Sequence, residues 1–260
     1  MKSVSTELLI TICASILLAA CATSRAPLNT EQIANLLTTV PAETSSDRDA
    51  TAKRFLRGGE PTIIALFQQV VPTGSGNDTA VRTALNGIAK YASRPGAENQ
   101  RQTFENAALT ALPRLASNEA KAFTIRQLEV AGGDTAVPAL ADLIKNPDLA
   151  QPAITVLQII ATPKATAAIH NALDVANAPK TNTAIIKALG ELRNVASAQK
   201  IAPYAASGDR DLRFTALYAL ANIATSCSEA ILYSALQSAG GYDQIEAKSL
   251  LALYQRRRAE

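Results

Sequence analysis

The chain has 260 residues, enough for one large domain or one repeat array. Its formal net charge of +3 comes with only 18% charged residues and no concentrated basic stripe before Arg256–Arg258, which argues against a nucleic-acid partner. Aromatics total 4%, Trp is absent, and no stretch alternates with period two, so a strand-built fold is not expected.

The first feature in chain order is the apolar run from Leu8 to Ala20. A membrane-spanning helix needs about 20 apolar residues, and this run is shorter. Its flanks fit a secretory signal instead, with Lys2 before it and small residues at its end. Leu18-Ala19-Ala20-Cys21 resembles the lipobox of bacterial lipoproteins. The resemblance implies that a signal peptidase recognises Leu18, Ala19 and Ala20, removes residues 1–20, and leaves lipid on the sulfur and new amino group of Cys21. An ordinary cleaved signal with an incidental Cys21 is the alternative. Two or more acyl chains hold a protein stably to a membrane, whereas one does so only marginally. In Gram-negative lipoproteins an aspartate after the lipidated cysteine favours the inner membrane. Ala22 stands there, which implies the outer membrane, facing the periplasm.

Cysteine usage follows from this. Cys13 leaves with the signal and Cys21 carries lipid, so Cys227 alone remains and no internal disulfide can form. A lone thiol is harmless in an oxidising compartment if it is buried. A nucleophilic Cys227 would want a histidine, and the single histidine, His170, is far away in sequence.

Residues 21–29 read as a lipidated tether, and 30–59 as an irregular helical cap: Thr30 to Val40 with Thr30 as its N-cap, then Asp49 to Arg57. From residue 60 to 260 the chain reads as paired helices. "PTIIALFQQVV" and "DTAVRTALNGIAKYA" form one pair, separated by "PTGSGND" and followed by "SRPGAENQ", both expected to project as mobile loops. Later pairs are "DTAVPALADLIKN" with "LAQPAITVLQIIA", "KATAAIHNALDVAN" with "TNTAIIKALGELRN", and "SAQKIAPYAAS" with "DLRFTALYALANIA". One leucine returns through them at Leu128, Leu157, Leu189, Leu220 and Leu251, a period of about 31 residues. Asp134 is placed to cap a helix, Pro138 and Pro152 to open helices, and Pro203 to bend one. Ala188, Ala216 and Ala219 sit where neighbouring helices approach.

"TAVPALADLI" and "SGDRDLRFTALYALANIA" resemble HEAT repeats, particularly the short bacterial HEAT-like kind. The resemblance implies an all-α fold, an α-solenoid of stacked antiparallel helix pairs. It also implies an Asp in the turn and an Arg early in the second helix that brace a repeat. Asp209 and Arg213 match those positions in one unit; Asn182 and Ala150 stand at the equivalent places elsewhere, so no continuous ladder is expected. By analogy the second helices line the concave side, which makes Lys187, Glu191, Phe214, Tyr218 and Asn222 the expected binding face. The competing expectation is that Phe214 and Tyr218 pack against the next repeat.

No catalytic constellation emerges. The carboxylates Glu105, Glu119, Asp142 and Asp174 are scattered, His170 has no second His or Cys nearby for a metal, and "GSG" at 74–76 is a plain turn. No cofactor and no small-molecule substrate are expected. The expected function is therefore non-enzymatic: a lipid-anchored envelope scaffold that holds another envelope or secreted protein, with the membrane as its second partner through Cys21. The alternatives are a purely structural envelope protein and an enzyme of the HEAT-like lyase or glycosylase type.

Overall fold

A computed structural model describes residues 26–260 apart from Asn177; the lipobox residues Leu18, Ala19, Ala20 and Cys21 lie outside the described residues. Among the described residues all regular structure is helical. In chain order the helices are α1 (Thr30–Leu37), α2 (Ser45–Arg57), α3 (Gly59–Phe67), α4 (Thr79–Ala92), α5 (Glu98–Ala111), α6 (Asn118–Ala131) and α7 (Val137–Leu143). They continue as α8 (Pro147–Ile160), α9 (Pro163–Ala172), α10 (Pro179–Glu191), α11 (Ala198–Ile201), α12 (Arg210–Ile223), α13 (Ser226–Ser238) and α14 (Gly241–Ala259).

Every second helix packs against the next. The series α2, α4, α6, α8, α10, α12 and α14 forms one continuous layer, and the intervening helices form the other, with α3 on α5 and α7 on α9. The recurring leucine explains the stacking. Leu128, Leu157, Leu189, Leu220 and Leu251 fall on α6, α8, α10, α12 and α14, and all five are buried. Each inner helix of this layer, α4 to α12, touches a predecessor and a successor, which is why its apolar residues exceed one face. The segment 30–59 is continuous with the stack, since α2 packs on α4 as α4 packs on α6.

The alanines expected at close approaches are buried, and the tightest crossing adds a glycine. A Cβ placed on Gly190 of α10 would lie 2.5 Å from the Ala219 Cα of α12, so these helices meet backbone to backbone.

Several helix ends differ from expectation. Asn29, not Thr30, caps α1; its side chain accepts from the Gln32 N–H while Gln32 reaches back to the Asn29 N–H. Asp134 does not cap α7. Its carboxylate instead accepts from the Thr162 hydroxyl at the start of α9. Pro138 opens α7 as expected, whereas Pro152 sits inside α8, whose first turn belongs to Pro147. Pro203 breaks its helix outright: α11 gives way to a 3-10 segment over Ala202–Ala206.

The two long loops are tied down. Thr73 donates from its backbone N–H and its hydroxyl to Glu119, at 2.9 and 2.7 Å, and Arg94 grips Asp49 through two hydrogen bonds. The core divides into a large cluster running from Ile33 to Ile223 and a smaller one that joins α12, α13 and α14 through Phe214, Leu217, Leu232, Leu250, Leu251 and Tyr254.

Candidate functional site

Three consecutive helices of the continuous layer, α10, α12 and α14, enclose an open groove of about 510 Å³. Lys187 and Glu191 form one wall, Arg210 and Glu246 the other, and Phe214, Tyr218 and Leu250 lie between them. Four of the five residues expected on a binding face therefore gather in one depression. The reason is their shared phase: Lys187 and Glu191 are one turn apart on α10, and Phe214 and Tyr218 are one turn apart on α12.

Exposure separates these residues. Lys187 is 62% exposed and lies 3.9 Å from Glu191, too loose a pair to consume its charge. Glu191 also accepts from the Gln158 amide of α8. Tyr218 is half-buried. Phe214 is only 7% exposed: it packs into the apolar cluster of α12, α13 and α14, and the Arg210 and Arg213 guanidiniums lie 4.7 and 5.5 Å from its ring. It is the floor of the groove rather than an exposed anchor. Asn222 is not on the face at all. It is buried, donates to the Tyr218 carbonyl at 3.2 Å and accepts from Arg257 Nε at 3.3 Å.

Arg210 holds the far wall in place, donating to Asp243 and Glu246 of α14 at 2.8 Å each. The hydrogen bond to Asp243 is the main reason its guanidinium is held protonated beyond the ordinary arginine range. Arg210, Glu246 and Leu250 were not expected from sequence. The i, i+4 spacing of Arg210 and Phe214 was the available signal.

The Asp–Arg brace takes a different form from the one the resemblance implies. Asp209 caps α12, accepting from the Asp211 and Leu212 N–H groups, and its carboxylate does not grip Arg213. Arg213 donates instead to the Ser207 carbonyl at 2.9 Å and to Asp243 at 3.3 Å. The direct brace occurs earlier. Asp78 accepts from Arg82 Nε at 2.8–2.9 Å, and Arg82 also donates to the Val71 carbonyl and approaches Glu119 of α6. "DTAVR" and "DRDLR" share the same Asp-to-Arg spacing, so a second match was readable.

Two other reactive side chains, His170 and Glu105, are engaged in structural hydrogen bonds. His170 Nδ1 lies 2.7 Å from the Ser197 hydroxyl, but Ser197 is buried and its one proton goes to Asn194 Oδ1 at 2.6 Å. That hydroxyl can therefore only accept from His170. Glu105 is buried and caps the turn before α7, accepting at 2.9 Å from both the Gly133 and Ala136 N–H groups. Cys227, which would be inert if buried, is exposed on the first turn of α13. Among the described residues no group of three or more His, Cys, Asp or Glu side chains could hold a metal, and no helix is long and apolar enough to cross a membrane.

No protein-family model matches the chain, and no curated protein matches it in sequence. Solved structures do. The archaeal HEAT-like repeats protein from Thermococcus onnurineus NA1 superposes with a TM-score of 0.51 at 15% identity, covering 90% of this chain and 99% of that one. The fold is a HEAT-like α-solenoid. An engineered protein matches with a TM-score of 0.35 and 18% identity over 88% of this chain and 98% of its own, too distant a likeness to carry an argument. The HEAT-like solenoid accounts for the two-layer stacking and for the groove's place on consecutive second helices. It assigns no ligand.

Proposed function

We propose that this protein is a lipid-anchored, non-enzymatic scaffold of the bacterial envelope, held at the outer membrane through Cys21 and facing the periplasm. Its HEAT-like solenoid binds another envelope or secreted protein across the α10–α12–α14 groove. The lipobox-like Leu18-Ala19-Ala20-Cys21 supports the anchor. The observation that carries the binding role is the groove itself. It sets a loosely paired Lys187, a half-buried Tyr218 and an ion-paired Arg210–Glu246 wall along three successive repeats.

That combination suits a polar protein surface. An aromatic supplies contact area, and charges of both signs at fixed spacing select the partner. The groove is open and shallow, which suits a partner that lies across repeats more than a small molecule that needs enclosure.

The test is a crosslinked pull-down from native envelopes with the lipidated chain as bait. A near-stoichiometric partner that is lost when Lys187→Ala and Tyr218→Ala are combined, with helical circular dichroism unchanged, is the expected result. A partner retained at full level by that double variant would overturn the groove assignment. Separately, Cys21→Ser should release the protein from membrane fractions, and a variant that still sediments with membrane would sink the anchor.

A further inference from the structure

A second groove, of about 570 Å³, lies at the opposite end of the stack between α2, α4 and α5. Lys53, Leu56 and Arg57 of α2 line it with Tyr91 of α4 and Asn99, Gln100 and Thr103 of α5. Lys53 and Arg57 are exposed, and among the described residues neither forms an ion pair, in contrast to Arg94 beside them, whose charge is met by Asp49. Tyr91 is flanked by cations, with Lys53 Nζ 5.5 Å and Arg94 Cζ 5.2 Å from its ring centre. Of the nearby carboxylates, Asp49 is near Lys53 but hydrogen-bonded to Arg94, Glu60 accepts from the Asn106 amide and Glu98 from the Gly96 N–H. Two free cations above a rim of amide and hydroxyl groups form a receptor for an anion with several acceptor oxygens.

The position of this groove matters as much as its charge. Leu28 is pinned beside it. The Leu28 N–H donates to Thr62 Oγ1 at 3.0 Å, and the Leu28 side chain packs over Gly58, the residue next to Arg57. From Cys21 to Leu28 a fully extended chain reaches about 25 Å at most. A lipid on Cys21 would hold Leu28 within that distance of the bilayer, and the Lys53–Arg57 groove beside it, whichever way the tether runs.

We propose that the Lys53–Arg57 groove is a second membrane contact, which binds the phosphate of an anionic phospholipid headgroup in the same bilayer that holds the Cys21 lipid. The inference rests on the lipid-anchor reading. Each basic residue near an anionic surface strengthens binding by about fivefold, too little for two or three of them to recruit a soluble protein. A short tether changes this, because it converts the second contact into an intramolecular event at an effective concentration in the millimolar range. The anchor supplies proximity and the groove supplies orientation. Together they would turn the α10–α12–α14 groove to a defined angle above the membrane.

The test is lysine footprinting of the full lipidated chain on vesicles of phosphatidylcholine alone and of phosphatidylcholine with phosphatidylglycerol. Acylation of Lys53 should be about fivefold slower on the mixed vesicles, the change expected for roughly 1 kcal/mol of added contact, while Lys248 on α14 reacts equally on both. Arg57→Glu, an exposed substitution that leaves the fold intact, should remove the difference without detaching the protein. Equal Lys53 reactivity on both vesicle types, with the protein still floating with them, would overturn the groove contact and leave the anchor standing. A chain that floats with neither would overturn both. Inorganic phosphate should not protect Lys53 in the absence of vesicles. If it does so at millimolar concentration while the two vesicle types give equal Lys53 reactivity, the groove is a site for a free anion and the lipid contact is rejected.

Discussion

Two carboxylates show how single residues fasten the turns between helices. Glu105 reaches from α5 to the turn before α7, takes up the Gly133 N–H, and shares the Ala136 N–H with the Gly133 carbonyl, which also accepts from it at 3.1 Å. Glu105→Ala should lower the unfolding free energy by about 1–3 kcal/mol in urea titrations, since the Gly133 N–H loses its acceptor and the Ala136 N–H loses one of two. Glu105→Gln keeps an acceptor oxygen and should cost clearly less. Equal losses for the two variants would mean that packing, not capping, is the residue's contribution. Asp78 is the pH-sensitive counterpart. Burial pushes its carboxyl upward, but the hydrogen bonds from Arg82 and from the Val71 N–H outweigh this and hold it below the ordinary aspartate value. A depressed folded-state pKa stabilises above the unfolded value of about 3.9 and is lost as pH falls through the folded one. Asp78→Asn should therefore destabilise by about 1–2 kcal/mol at neutral pH and by progressively less below pH 4. A penalty that stays constant into acid would show that the charge on Asp78 is not what the Arg82 brace uses.

At the scale of elements, the stacking is governed by how closely helices of the continuous layer approach. Gly190 and Gly87 are both helical glycines on that layer, in α10 and α4, yet they face opposite surroundings. A Cβ on Gly190 would collide with Ala219, at 2.5 Å from its Cα, whereas a Cβ on Gly87 meets nothing within 4 Å. Alanine should raise stability by up to about 1 kcal/mol at Gly87 through helix propensity. The same change at Gly190 should lower it by about 1–3 kcal/mol, because α10 and α12 must move apart. Thermal melts of the two variants moving in the same direction would contradict this account of the crossing. The elements themselves were legible in the sequence, since a leucine returning every 31 or so residues can only be buried repeatedly by stacked units. Their ends were less so. Asn29 and Thr30 are both good caps, and only the reciprocal bond with Gln32 decides between them. Asn222 was misplaced, and Phe214 is less exposed than spacing implies, for a related reason: spacing puts a residue on a helix face, but the side chains packed over that face decide whether it is covered. The Lys187, Glu191 and Tyr218 part of the groove was readable because side chains one turn apart share a face whatever covers the rest.

Across the whole molecule the core is not uniform. A large cluster extends to Ile223, and a smaller one joins α12 to α13 and α14, so the last pair rests on a single neighbour. In a solenoid each unit is stabilised mainly by adjacent ones, and a terminal unit has lost one of its two interfaces. Polar ties partly offset this. Arg210 and Arg213 reach Asp243, and Arg193 at the end of α10 reaches Glu260 at 2.8 Å, clasping α14 from both ends. The proposed binding groove depends on this same pair, because Glu246 and Leu250 of α14 complete it. Stability and recognition should therefore be coupled at α14. Leu251→Ala removes a buried side chain of the smaller cluster, and such truncations cost about 2–5 kcal/mol. Amide exchange across α13 and α14 should then accelerate by an order of magnitude or more, while α8 and α10 keep their protection. Partner capture should fall with it, although Leu251 does not line the groove. Equal acceleration in α8 would mean that the stack opens as one body. Undiminished capture despite a frayed α14 would place the partner on α10 and α12 alone.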